Sequence, residues 1–254
     1  NSGTAYVVGD VFGGLAGGGT SGIYNTRVLY LTGNGVGGTA TGGSIPGNGS
    51  PAVRTTGILC SIVGNLSGGI SQNYNSGLCA TGTTTMVYGN VYGNAGGNAR
   101  GAFNDGSGTL IIYGNAYAGP NIGIENTTTG TVILCGIAIP GPGSGNTGAV
   151  NSSTGTLIVK KAIGNDYGLG SVGLGTSVGA ANSQNGKMYV EEVEFGSRGY
   201  TPISGPVYIV PKSTNTLTGR LTALGGTATF YNSLSVDGLL PPVSSVRLGE
   251  VFAN

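Results

Sequence analysis

A short apolar run closed by a glycine returns along this chain at an almost fixed spacing. Its clearest copies are Thr84-Thr85-Met86-Val87-Tyr88-Gly89-Asn90 and Thr109-Leu110-Ile111-Ile112-Tyr113-Gly114-Asn115. The closing glycine falls at Gly9, Gly33, Gly64, Gly89, Gly114 and Gly136, and then Lys160 and Glu191 take its slot. Subtracting neighbours gives steps of 24, 31, 25, 25, 22, 24 and 31 residues. A period in the twenties with β-branched content predicts a chain that winds and stacks each coil on the last.

A second signature precedes each glycine-closed run. It reads Gly22-Ile23-Tyr24-Asn25, Gly101-Ala102-Phe103-Asn104, Gly123-Ile124-Glu125-Asn126, Gly148-Ala149-Val150-Asn151 and Gly179-Ala180-Ala181-Asn182. One coil is therefore expected to hold a short strand, a polar corner, a longer strand and a variable glycine-rich return. No stretch keeps apolar residues at helical spacing. The fold class that follows is all-β: a parallel β-helix of about 22–31 residues per coil, right-handed by the usual crossover rule and capped at its C-terminal end. Residues 1–195 are assigned to the repeats, 196–236 to the last coils and cap, and 237–254 to a linker or docking tail, where Pro241-Pro242 cannot continue a central strand.

Stacking accounts for the residue choice. Equivalent residues of successive coils lie about 4.8 Å apart, so like side chains form ladders. The asparagines Asn104, Asn126, Asn151 and Asn182 are expected in one amide ladder, with local capping of each turn as the alternative. Lys160 and Lys161 are followed at the same slot by Glu191 and Glu192, which predicts opposite charges stacked across coils on a solvent-facing patch.

Composition narrows the function classes. Glycine occurs 54 times in 254 residues, about three times its usual share of roughly 7%. Low charge, a net of +1 and 38% hydrophobic residues argue against disorder, which combines low hydrophobicity with high net charge. A nucleic-acid partner needs a basic stripe, and the ten Lys and Arg are scattered. No apolar stretch reaches the roughly 20 residues of a membrane span. The chain opens on Asn1 rather than Met, the mark of a fragment or a processed product. Cys60, Cys79 and Cys135 form no CxxC pair and are read as free thiols filling apolar positions.

Catalytic constellations are sparse. There is no histidine, which removes histidine-activated nucleophiles and the commonest metal ligand; no cofactor or metal site is expected. A glycosidase would need two carboxylates roughly 5–10 Å apart, for which Glu192 with Glu194, or Asp105 with Glu125 from consecutive coils, are the available pairs. Gly33-Asn34-Gly35-Val36-Gly37-Gly38 matches GxGxxG, but no helix-forming sequence follows, as a nucleotide site requires. Insertions at 39–51 and 166–175 mark the long steps, where repeat proteins carry loops on one face. Thirteen tyrosines offer either internal stacking or a sticky exposed stripe.

The units at 108–119, 123–136 and 148–159 resemble glycine-rich repeats in virion surface proteins of tailed bacteriophages. The segment from Pro241 to Phe252 resembles a P-x-x-S-x-V-R-x-G-x-x-[FY] motif of phage head-fibre and related proteins. That resemblance implies a β-solenoid, often trimeric, displayed on the virion surface with no catalytic residues. Its partners would be other virion proteins and a host surface glycan. The expected function is therefore a non-enzymatic structural or display protein of a phage particle. The alternatives are a bacterial cell-surface adhesin on the same scaffold, or a tailspike-like glycan depolymerase using stacked carboxylates.

Overall fold

A computed structural model of the chain describes residues 2–16, 20–40, 49–70, 75–94, 99–142, 146–164, 179–183 and 185–194, with the strand backbone at 203–204, 207–209, 223–224 and 228–230. The tail assigned to 237–254, the insertion at 166–175 and most of the cap at 196–236 lie outside these residues. Every element among the described residues is a strand. The strands run parallel in curled sheets, the largest of fifteen strands and the next of nine.

The glycine-closed runs form one column of long strands. Val28–Thr32 pairs with Leu59–Val63, that with Thr84–Tyr88, that with Thr109–Ile112, and so on through Thr131–Ile139, Thr156–Ile163 and Lys187–Glu194. A residue therefore meets its counterpart one repeat later: Leu29, Cys60, Thr85, Leu110, Val132, Leu157 and Met188 stand in one file. The Gly-x-x-Asn signatures form a second column, from Ile23–Asn25 through Ala180–Asn182. The sequence reading missed a third. Two-residue strands follow each corner, such as Leu66–Ser67, Val91–Tyr92 and Ala116–Tyr117.

Alternation along each strand sends one set of side chains inward. Leu31, Ile62, Val87, Ile112 and Val159 from the long strands meet Leu66 and Val91 from the short ones and Val53, Leu78 and Ile124 from the asparagine strands in one buried cluster. Small residues share this interior: Ala102, Ala116, Ala138, Ala149 and Ala180 are fully buried.

The corner between the long and two-residue strands depends on glycine for two reasons. Gly33 and Gly64 have φ of 145° and 150°, a region that side chains with Cβ avoid. Glycine also stacks on glycine: a Cβ at Gly64 would overlap the carbonyl oxygen of Gly33, and one at Gly89 that of Gly64. Lys160 breaks this file. Opposite it, the register slips between Leu134 and Ile137, so that Cys135 and Gly136 together face one residue. The bulge lets the chain dispense with the corner, and the strand runs unbroken through Thr156–Ile163 and Lys187–Glu194. The glycine-rich GxGxxG match is likewise structural. Gly35 makes room for the Leu66 side chain, and Gly37 and Gly38 lie against neighbouring backbone.

Candidate functional site: the wall of the asparagine strands

Asn104, Asn126, Asn151 and Asn182 occupy one file in the register of the second column. Asn104 Nδ2 donates to Asn126 Oδ1 at 3.1 Å, Asn126 Nδ2 to Asn151 Oδ1 at 3.1 Å, and Asn151 Nδ2 to Asn182 Oδ1 at 2.8 Å. The same amides also close their own turns. Asn126, Asn151 and Asn182 each donate to the carbonyl four residues on, at Gly130, Gly155 and Gly186, all at 2.9 Å. Ladder and local cap, posed above as alternatives, coexist because an amide carries two N–H donors. All four are buried. The file continues upstream as Asn25, Thr55 and Ala80, and Asn25 Nδ2 donates to Thr55 Oγ1 at 3.0 Å.

A second relay, on the opposite corner, escaped the sequence reading. Asn34 N donates to Asp10 Oδ1, Asn65 N to Asn34 Oδ1, Asn90 N to Asn65 Oδ1, and Asn115 N to Asn90 Oδ1, at 2.7–3.0 Å. The signal was present in the recurring Gly-Asn dipeptide.

The four charges do not behave as one patch. Lys161 Nζ lies 3.0 Å from Glu192 Oε1, both half-buried. Lys160 is exposed, whereas Glu191 is only 1% exposed, in a strand paired on both sides. That corrects the expectation of a shared solvent-facing surface.

The outward side of the second column carries the most varied chemistry among the described residues. Tyr24, Arg54, Cys79, Phe103 and Glu125 follow one another in register. Cys79 is the one small member, and above it lies a hollow of about 250 Å³ lined by Arg54, Phe103, Arg100, Asp105 and Thr127. Arg100 Nε is hydrogen-bonded to Glu125 Oε2, and its guanidinium carbon lies 5.1 Å from the Phe103 ring centroid. Ser152 Oγ donates to the other Glu125 oxygen at 2.9 Å. Thr127 Oγ1 donates to Asp105 Oδ1 at 2.7 Å. Burial pushes the Cys79 thiol up to about 12, with Asp105 adding to the rise and Arg54 and Arg100 opposing it.

The carboxylate pairs considered from sequence are thereby placed. Glu125 stands beside Phe103 rather than Asp105 and is engaged by Arg100 and Ser152. Glu192 is engaged by Lys161, and the Glu194 side chain lies outside the described residues. Cys60, Cys79 and Cys135 are free thiols, the first two buried. Among the described residues no three His, Cys, Asp or Glu side chains gather as metal ligands, and no helix is long and apolar enough to cross a membrane. Compared with known proteins, the chain matches no family model, no curated protein and no solved structure.

Proposed function

We propose that the chain is a right-handed, single-stranded parallel β-helix serving as a non-enzymatic structural and display protein on a tailed-phage particle, assembled as a homotrimer. The observation that carries the rod is the register: each pass pairs in parallel with the next at a spacing of one repeat. Backbone ladders along the axis, with buried amides clamping each turn, make such a scaffold stiff and resistant to proteases. The alternative parts, an adhesin or a depolymerase, use the same scaffold and differ in what it touches.

Lateral assembly is supported by the outer side of the long strands. Tyr88 and Tyr113 stack at 4.5 Å between ring centroids while remaining 45% and 46% exposed, and Val63 beside them is 51% exposed. Tyr6 and Tyr30 stack at 5.0 Å near the first strand. Through the first five long strands this outer side carries no charged residue. An uncharged stripe with that many exposed Tyr and Val side chains is uncommon on a lone soluble chain. A second and third copy match it in length and in the 4.8 Å repeat.

Light scattering coupled to size exclusion tests the assembly. Three chain masses are expected, and Tyr88→Lys with Tyr113→Lys should reduce them to one. A wild-type monomer would remove the trimer. Co-sedimentation with purified virions tests the display role separately, and absence from the particle would overturn it.

A further inference from the structure

We propose that the hollow above Cys79 is a binding slot for one neutral pyranose unit of a glycan. The slot arises from the ladder itself. Arg54, Cys79 and Phe103 stand on three successive rungs, so the strands that carry the two larger side chains are separated by about 9.6 Å, twice the strand spacing. Cys79 is too short to fill the gap between them and forms its floor, buried at 7% exposure.

The width selects the occupant. Carbon atoms in contact sit about 3.5–4.0 Å apart, so a flat ring between Arg54 and Phe103 would use about 7–8 Å of the gap. The remaining roughly 2 Å, from the same spacings, suits a puckered saturated ring rather than an aromatic one. The hollow of about 250 Å³ lies below the range for drug-sized ligands, about 300–1,000 Å³, which limits it to a single sugar unit.

The polar groups fit hydroxyls. A sugar hydroxyl both donates and accepts, and the hollow is lined by the Arg54 guanidinium, the Asp105 carboxylate and the Phe103 ring. Thr127 holds the Asp105 carboxylate in place through its 2.7 Å hydrogen bond. Charge sets the neutrality. Arg100 is answered by Glu125, and Arg54 and Asp105, of opposite sign, both line the hollow. An acidic sugar would face Asp105, and an amino sugar would face Arg54. The slot does not depend on where the rod is displayed, and its assay uses the isolated chain.

The test is an amide NMR titration of the full chain with methyl hexopyranosides of the gluco, galacto and manno series, alongside glucuronate. At least one neutral hexoside should shift the Cys79, Phe103 and Thr127 amides with millimolar affinity. Cys79→Phe, which completes the ladder and fills the gap, should abolish those shifts. Asp105→Asn, a change at an exposed position, should weaken binding about tenfold through loss of one charge-assisted hydrogen bond, and it decides the matter if Cys79→Phe does not fold. No shift from any neutral hexoside, undiminished binding by either folded variant, or tighter binding of glucuronate would each overturn the proposal.

Discussion

Replacing Asn126 by alanine should show how far the buried amides act as one unit. Asn126 receives a hydrogen bond from Asn104 and gives one to Asn151 and one to the Gly130 carbonyl. The Gly130 oxygen keeps a donor in Thr156 N at 3.0 Å. The Asn104 N–H and the Asn151 oxygen each lose this partner in a fully buried file. An orphaned buried polar group costs about 1–3 kcal/mol, so Asn126→Ala should destabilise by roughly 2–5 kcal/mol, the upper part including the lost cap. Asn151→Ala should cost a similar amount. Together the two substitutions delete their shared bond once, so the double variant should fall short of the sum by about 1–3 kcal/mol. Equilibrium urea unfolding followed by far-UV circular dichroism measures all four members of the cycle. If each amide only caps its own turn, the two losses add to within about 0.5 kcal/mol; additivity of that kind would refute the coupled ladder.

Further outcomes are as specific. Gly64→Ala combines a positive φ with overlap against the Gly33 carbonyl and should cost more than about 2 kcal/mol in the same unfolding assay; a loss under about 0.5 kcal/mol, the level of an ordinary surface change, would contradict the glycine-on-glycine packing. Lys161→Ala should cost at most about 1 kcal/mol, because the pair with Glu192 is partly solvated, and the loss should shrink in high salt. Burial holds the Cys60 and Cys79 thiols at about 12 rather than 9.0. In the folded chain a disulfide reagent at mildly alkaline pH should therefore titrate Cys135 alone, and all three thiols after denaturation. The sign of the linked stability follows: these thiols ionise first in the unfolded chain, so their contribution is whole below pH 9 and is lost as pH climbs toward 12. A Cys60→Ala variant should lose less stability than the wild type over that window, measured by thermal melts.

Periodicity was what the sequence displayed best. Val87, Ile112 and Leu134 stand in register because each repeat returns the same short strand to the same corner while the glycine-rich return absorbs the difference in length, and aligning the closing glycines is enough to find that. The asparagine file was legible for the same reason. What stayed hidden depended on comparing neighbours across repeats rather than along the chain. The two-residue strands are too short to show alternation, and the relay from Asp10 to Asn115 joins a side chain to the backbone of a residue 24–31 positions later. The slot over Cys79 is a difference between rungs, one small residue between Arg54 and Phe103, and a single repeat contains no trace of it. The burial of Glu191 was equally out of reach, since its identical slot to Lys160 implied an identical environment.

The relay at the Gly-Asn corners has a consequence for how such a chain changes length. Asn90 and Asn115 receive and pass on the same contact, so each turn presents its successor with the socket it was itself offered. Excising residues 90–114 would join Gly89 to Asn115 and leave Asn65 facing an equivalent acceptor-seeking amide. The molecule can thus be shortened or extended by whole turns, about 4.8 Å at a time, without inventing a new junction.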